Sequence, residues 1–132
     1  MKKKILIITD SSDSMRNLGA AIAAGIKKIS GDYKVSAIDA VNVSATDLLP
    51  AHIFFLGCQK KKTFSFYYIE NLFTHINLAG RRCGIFSTRS GALKYLASFL
   101  RSSEARIGRP LLAKDDSIGG RELQKWIQSI IA

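Results

Sequence analysis

Six consecutive polar residues after an apolar run form the first stretch of this sequence that could do chemistry. They combine hydroxyl groups with two carboxylates: Thr9, Asp10, Ser11, Ser12, Asp13 and Ser14. Hydroxyls and free backbone N–H groups at the start of a helix are typical of phosphate sites. Asp10 and Asp13 could instead bind Mg²⁺, but a hard cation needs more oxygen ligands and the sequence places no third carboxylate nearby. We expect Asp13 or Ser14 to cap the helix that follows.

Two further polar loops follow apolar runs later in the chain. Cys58 and Gln59 come after residues 53–57 and lead into three lysines at 60–62. Ser87, Thr88 and Arg89 come after residues 83–86. Each loop precedes a stretch with helical spacing of apolar residues. We therefore expect three short loops, each joining a strand to a helix.

Other chemistry-bearing residues lack partners at a recognisable spacing. His52 and His75 have no nucleophile beside them, and we expect structural or surface roles for both. Gly57 stands where a receiver domain would carry its phosphoacceptor aspartate, which argues against phosphotransfer. Cys58 and Cys83 should lie too far apart for a disulfide, so both are expected as free thiols. No P-loop lysine, nucleophile elbow, catalytic residue set or metal-ligand cluster is recognisable, and whether the protein is an enzyme stays open.

The apolar pattern predicts strands that alternate with helices. Buried strands are expected near residues 5–8, 53–57 and 82–87, an edge strand at 33–39, and a last edge strand within 105–113. Helical stripes begin near Met15, Phe66 and Leu93, and a closing helix carries Leu123 and Ile127. This order predicts a parallel, doubly wound α/β sheet with right-handed crossovers, and helices on both faces of its three central strands.

Length and charge bound the remaining classes. The chain has 132 residues, which fits one domain spanning 1–132. Its apolar runs are too short for a membrane span, and its start does not fit a signal peptide, so we expect a cytoplasmic protein with no membrane partner. The formal net charge is +10, and eleven Lys or Arg residues lie between 60 and 114 with only two Glu. Such a field favours anionic partners, either an acidic protein or nucleic acid, although a solvated surface without a partner has the same composition.

Two segments resemble the flavodoxin family. Residues 47–58 are similar to its third strand, an apolar run that ends in glycine and a small residue. Residues 77–88 are similar to its segment of leucine, glycine, two basic residues, a buried strand and a small polar loop. Together with the serine-rich first loop, the resemblance covers nearly the whole chain. It implies a three-layer sandwich with five parallel strands in the order 2-1-3-4-5 and FMN at the switch point between strands 1 and 3, the rule for which flavodoxin itself is a standard example.

The resemblance also implies which residues would hold FMN. The phosphate loop falls on residues 9–14, the first ring-flanking loop on Cys58 and Gln59 with the lysines that follow, and the second on Ser87, Thr88 and Arg89. Asp10 and Asp13 would have to point away, since a carboxylate within about 4 Å of a phosphate costs several kcal/mol. Two functions remain open: a flavin-binding electron-transfer protein, and a flavodoxin-like binding module without flavin that uses its basic face on an anionic partner.

Overall fold

The computed structural model describes residues 3–60, 64–114 and 118–131. Within these ranges the strands are β1 (Lys3–Thr9), β2 (Tyr33–Asp39), β3 (Ile53–Gly57), β4 (Arg82–Ser87), β5 (Arg106–Ile107) and β6 (Leu111–Leu112). The α-helices of the same ranges are α1 (Asp13–Ile29), α2 (Ala45–Leu48), α3 (Phe64–Thr74), α4 (Ser90–Ser102) and α5 (Gly120–Ile131). A 3₁₀ turn at Ala40–Asn42 follows β2.

The strands form one parallel sheet in the order β2-β1-β3-β4-β5, and β6 also pairs with β4. Ile7 of β1 is in register with Ala37 of β2 on one side and with Phe55 of β3 on the other. The predicted strand order is confirmed, and β1 lies inside the sheet. The carboxyl ends of β1, β3 and β4 therefore share one edge, where their loops meet.

Helices cover both faces of the central strands, as predicted. Along β1, Ile5 and Ile7 pack with α1 and α5, whereas Leu6 and Ile8 pack with α3 and α4. Side chains alternate between the two faces of a strand, so an unbroken apolar run is buried on both. The first loop therefore follows a strand that is buried from Ile5 to its end at Thr9.

The last strand differs from the single strand predicted within 105–113. β5 and β6 are two residues each and both pair with β4, at Arg82–Cys83 and at Phe86–Ser87. Gly108 and Pro110 fall in the interruption: Gly108 lies against Ile130, where a Cβ would come within 2.3 Å of the Ile130 Cδ1, and Pro110 has no N–H to donate. The strand is therefore broken where it crosses α5.

Among the described residues, no helix is both long enough and apolar enough to cross a membrane.

Candidate functional site

The first loop turns tightly from β1 into α1. Thr9 is buried, and its side chain lies against Gly19 of α1, where a Cβ would come within 3.2 Å of the Thr9 Cγ2. Ser12 is the N-cap, with extended dihedral angles, and its hydroxyl accepts from the Met15 N–H at 3.3 Å. The expectation that Asp13 or Ser14 caps this helix is wrong. The helix already begins at Asp13, so neither residue has the extended backbone that a cap requires.

Asp10 is turned into the fold, with 5% of its surface exposed. Its Oδ1 accepts from the Ser12 backbone N–H at 3.1 Å and from the Ser12 hydroxyl at 2.6 Å. Its Oδ2 accepts from the Gln59 N–H at 2.7 Å. Three donors thus surround the carboxylate, and the first loop is joined to the loop after β3.

Cys58 begins the second loop and is fully buried. Burial raises the pKa of its thiol from 9.0 to about 12, and the negative charge of Asp10 adds to the shift. The thiol is therefore protonated at neutral pH and is a poor nucleophile. Cys58 and Cys83 are both free, as predicted, and both are buried.

The third loop is short, because α4 begins at Ser90, three residues after β4 ends. Ser87 is fully buried; its hydroxyl donates to the Cys58 carbonyl oxygen at 2.6 Å and accepts from the Arg89 N–H at 3.0 Å. Thr88 is half-buried, and Arg89 is exposed to solvent. The second and third loops are therefore also connected.

A cavity of about 300 Å³ opens between the first two loops. Its lining comes from both loops and from the first turn of α3: Asp10, Ser11, Ser12, Gln59, Lys60 and Ser65. Four of the eleven predicted site residues thus line one cavity, and Asp13 and Ser14 lie on the adjoining first turn of α1. Cys58 and Ser87 are buried and hydrogen-bonded to each other, and they do not line the cavity. Thr9 packs against α1.

Lys60 was predicted only as part of the first ring-flanking loop, and Ser65 was not predicted as a site residue. Lys60 belongs to a run of three lysines, and such runs are usually solvated and exposed on the surface. Ser65 lies on the first turn of α3. Aromatic side chains are missing from the described parts of the second and third loops, residues 58–60 and 87–89. Residues 61–63 of the predicted ring-flanking loop lie outside the described residues. Of the described residues in these two loops, Gln59 and Lys60 line the cavity.

A tyrosine–glutamate pair joins α3 to α4. The Tyr95 hydroxyl of α4 donates to the Glu70 carboxylate of α3 at 3.2 Å and to the Phe66 carbonyl oxygen at 3.3 Å. Burial and the negative charge of Glu70 raise the pKa of Tyr95. Tyr95 therefore stays neutral at physiological pH and fastens α3 to α4.

Metal binding finds no support in the described ranges, where no three His, Cys, Asp or Glu side chains are grouped to hold an ion. The two oxygens of Asp10 already accept from N–H and O–H donors, and Asp13 is exposed on the helix surface. His52 accepts from the Lys4 N–H at 3.1 Å, and His75 contacts the Asn71 carbonyl oxygen at 2.8 Å. These contacts agree with the structural or surface roles expected for both histidines.

No protein-family model and no curated protein sequence matches the chain. Solved structures do. A short-chain flavodoxin associated with a non-canonical PDU bacterial microcompartment superposes with a TM-score of 0.80 at 9% identity, over 99% of this chain and 97% of that one. Flavodoxin 2 from Bacillus cereus gives a TM-score of 0.79 at 18% identity, over 96% of each chain. The flavodoxin from Streptococcus pneumonia TIGR4 gives 0.76 at 15% identity, over 96% and 95%.

These similarities extend over nearly the full length of each compared chain. They establish a flavodoxin-like fold, which confirms the architecture that residues 47–58 and 77–88 led us to expect. At such low identity they establish the fold alone.

Proposed function

We propose that this flavodoxin-like chain binds FMN at the carboxyl ends of β1, β3 and β4 and carries electrons. The observation that carries this proposal is the cavity between the loops after β1 and β3, at the switch point of the sheet. In open α/β sheets, ligands bind in the crevice at such a point. The flavodoxins that share the fold support the choice of a flavin as the ligand.

The donors around the cavity fit the phosphate end of FMN. The Met15 and Arg16 N–H groups are used by Ser12, but the N–H groups of Asp13 and Ser14 have no acceptor among the described residues. The first turn of α1, a helix of 17 residues, adds the positive end of its dipole. The hydroxyl of Ser11 and the ammonium group of Lys60 stand at the same cavity.

The two carboxylates of the first loop do not prevent this binding. Asp10 is buried and its charge is compensated by three hydrogen bonds from Ser12 and Gln59. Asp13 is exposed, so water screens its charge. The phosphate would therefore meet N–H groups, hydroxyls and Lys60 before it meets an unscreened carboxylate.

Bound FMN would supply the redox chemistry, because the flavin ring accepts and returns electrons. The chain's own residues would bind and orient it. Gln59, Lys60 and Arg89 would flank the ring. The positive charges of Lys60 and Arg89 favour added negative charge on a neighbouring group. We therefore propose that the ring is easier to reduce here than it would be beside acidic residues.

The test is a titration of the purified protein with FMN, followed by quenching of flavin fluorescence. We expect a dissociation constant in the micromolar range, which corresponds to a binding free energy of about −8 kcal/mol. Riboflavin, which lacks the phosphate, is the matched ligand and should bind more weakly. If the fluorescence of FMN is not quenched at a protein concentration one hundred times a micromolar dissociation constant, the proposal fails.

A second candidate function rests on the outer surface of α4. Lys94 and Arg101 are both exposed on this helix, Arg89 directly precedes it, and α4 contains no acidic residue. We propose that this surface binds an acidic protein, with or without a flavin in the site. Binding of poly-glutamate should weaken steeply as salt rises, and Lys94→Gln with Arg101→Gln should reduce both binding and the salt slope. Preference for DNA over poly-glutamate would redirect the candidate to nucleic acid.

A further inference from the structure

The peptide bond between Cys58 and Gln59 is held at both of its polar groups. Its carbonyl oxygen accepts from the Ser87 hydroxyl at 2.6 Å, and its N–H donates to the Asp10 Oδ2 at 2.7 Å. Asp10 and Ser87 come from the ends of two different strands, β1 and β4, which flank β3. One peptide is thus gripped from both sides by side chains that are themselves buried.

The two side chains are in turn fixed by their own neighbours. The Asp10 Oδ1 accepts from the N–H and the hydroxyl of Ser12. The Ser87 hydroxyl accepts from the Arg89 N–H at 3.0 Å, so both its donor and acceptor functions are used. Rotation of the peptide would therefore leave several buried polar groups without partners, which is strongly unfavourable.

The preceding peptide is constrained as well. The Gly57 carbonyl oxygen accepts from the Asp10 N–H at 3.2 Å. A Cβ at Gly57 would come within 2.2 Å of the Phe86 ring, so the strand end fits closely against β4. The backbone is therefore held in place from Gly57, the last residue of β3, to Gln59.

We propose that Asp10 and Ser87 are positioning residues: together they lock the Cys58–Gln59 peptide, so that these two residues at the start of the loop after β3 keep one conformation with and without ligand. The role in ligand binding rests on the proposed function, because Gln59 lines the cavity assigned to FMN. The lock itself is a property of the free protein. The two parts can therefore be tested separately.

The first arm measures amide hydrogen exchange of Gln59 by NMR in the free protein. Ser87→Ala removes the hydroxyl without a change of charge, and we expect exchange at Gln59 to accelerate at least about tenfold. Ser90→Ala, three residues away at an exposed position and outside the lock, is the matched control and should leave the rate unchanged. Ser87→Thr keeps the hydroxyl and should restore slow exchange. Asp10→Ala gives a second route to the same loss if Ser87→Ala folds poorly.

The second arm repeats the FMN titration with the same variants. Ser87→Ala should weaken binding by about tenfold, and Ser87→Thr should recover it. Slow exchange in both Ser87→Ala and Asp10→Ala would overturn the lock, and unchanged FMN affinity in a variant with fast exchange would overturn the positioning role. Absence of FMN binding by the unmodified protein would defeat the proposed function and, with it, the ligand part of this inference, whereas the lock would still be decided by the first arm.

Discussion

Arg81 donates from one guanidinium nitrogen to the Ala51 carbonyl oxygen at 2.9 Å, although the two residues are 30 positions apart. The same nitrogen donates to the Leu48 carbonyl oxygen at 3.0 Å, and the guanidinium carbon lies 6.0 Å from the centre of the Phe54 ring. One side chain thereby ties the end of α2 to the start of β4.

Loss of this arginine should destabilise the fold. We expect Arg81→Ala to lower the free energy of unfolding by about 1.5–3 kcal/mol, since two hydrogen bonds from a charged group are lost. The Leu48 carbonyl oxygen keeps the Ala51 N–H as a donor, whereas the Ala51 carbonyl oxygen loses the guanidinium. Urea denaturation followed by circular dichroism measures the change. Arg101→Ala, on the exposed surface of α4, is the control and should stay within about 0.5 kcal/mol. Equal midpoints for the two variants would contradict this prediction.

Ser12 should matter more to stability than its serine neighbour Ser14. Ser12→Ala removes the helix cap and one donor to Asp10, and we expect a loss of about 1–2 kcal/mol. Ser14→Ala affects neither group and should cost much less. Thermal unfolding of both variants gives the comparison. A larger loss for Ser14→Ala would instead place the cap at Ser14.

The negative charge of Asp13 should either leave the affinity for the FMN phosphate unchanged or lower it. Asp13→Asn removes a negative charge from the first turn of α1, so FMN affinity should stay equal or rise. Ser12→Asp adds a charge at the cap and should weaken FMN binding by about tenfold or more, which is about 1.4 kcal/mol. Fluorescence titration at low and high salt gives both values. Weaker FMN binding by Asp13→Asn would show that the phosphate lies elsewhere.

The buried thiols should make the protein less stable in alkali. Burial raises the pKa of Cys58 from 9.0 to about 12 and also raises the pKa of Cys83. Below pH 9 the Cys58 thiol is protonated in both states and its contribution to stability is complete. Between pH 9 and 12 the unfolded chain releases the proton and the folded chain keeps it, so this contribution is progressively lost.

Cys58→Ser removes one of these thiols. The unfolding free energy of this variant should fall less steeply than that of the unmodified protein as the pH rises through this interval. Cys83 and Tyr95 act in the same direction, so the slope should be reduced rather than abolished. Urea midpoints measured at several pH values from neutral to alkaline test the prediction. Parallel curves would mean that Cys58 already ionises in the folded protein.

Gly57 should tolerate no side chain. A Cβ there would lie 2.2–2.6 Å from three atoms of the Phe86 ring, which is itself fully buried. Gly57→Ala should therefore lower the free energy of unfolding by about 1–3 kcal/mol, the usual cost of overpacking. Gly31→Ala is the control, because a Cβ at Gly31 would meet nothing within 4 Å. Similar stabilities of the two variants would mean that Phe86 can move aside.

The sheet could be predicted from the sequence because its signals are strong and independent. Runs such as residues 5–8 and 53–57 are apolar on both faces, and the helical stripes between them have regular spacing. The break between β5 and β6 was less visible, because it depends on how closely Gly108 approaches Ile130 of the last helix. Distant contacts of that kind leave no local pattern.

The site was predicted in outline, and its details depended on choices among similar residues. Four successive residues from Ser11 to Ser14 all suit a helix cap, so composition could not select Ser12. The contact of Asp10 with Gln59 joins positions 49 apart and has no signal in either segment. Ser65 becomes a cavity residue only because α3 begins beside the first loop.

The two edges of the sheet differ in how well they could pair with a further strand. On the β4 side the outer positions are split between two short segments, with Pro110 between them and the exposed Arg106 at the first. The break between the two segments and the proline, which has no N–H to donate, make that border a poor template for main-chain pairing. At the other edge β2 runs unbroken for seven residues, and among the described strands it pairs only with β1. Growth of the sheet by strand addition would therefore start at β2.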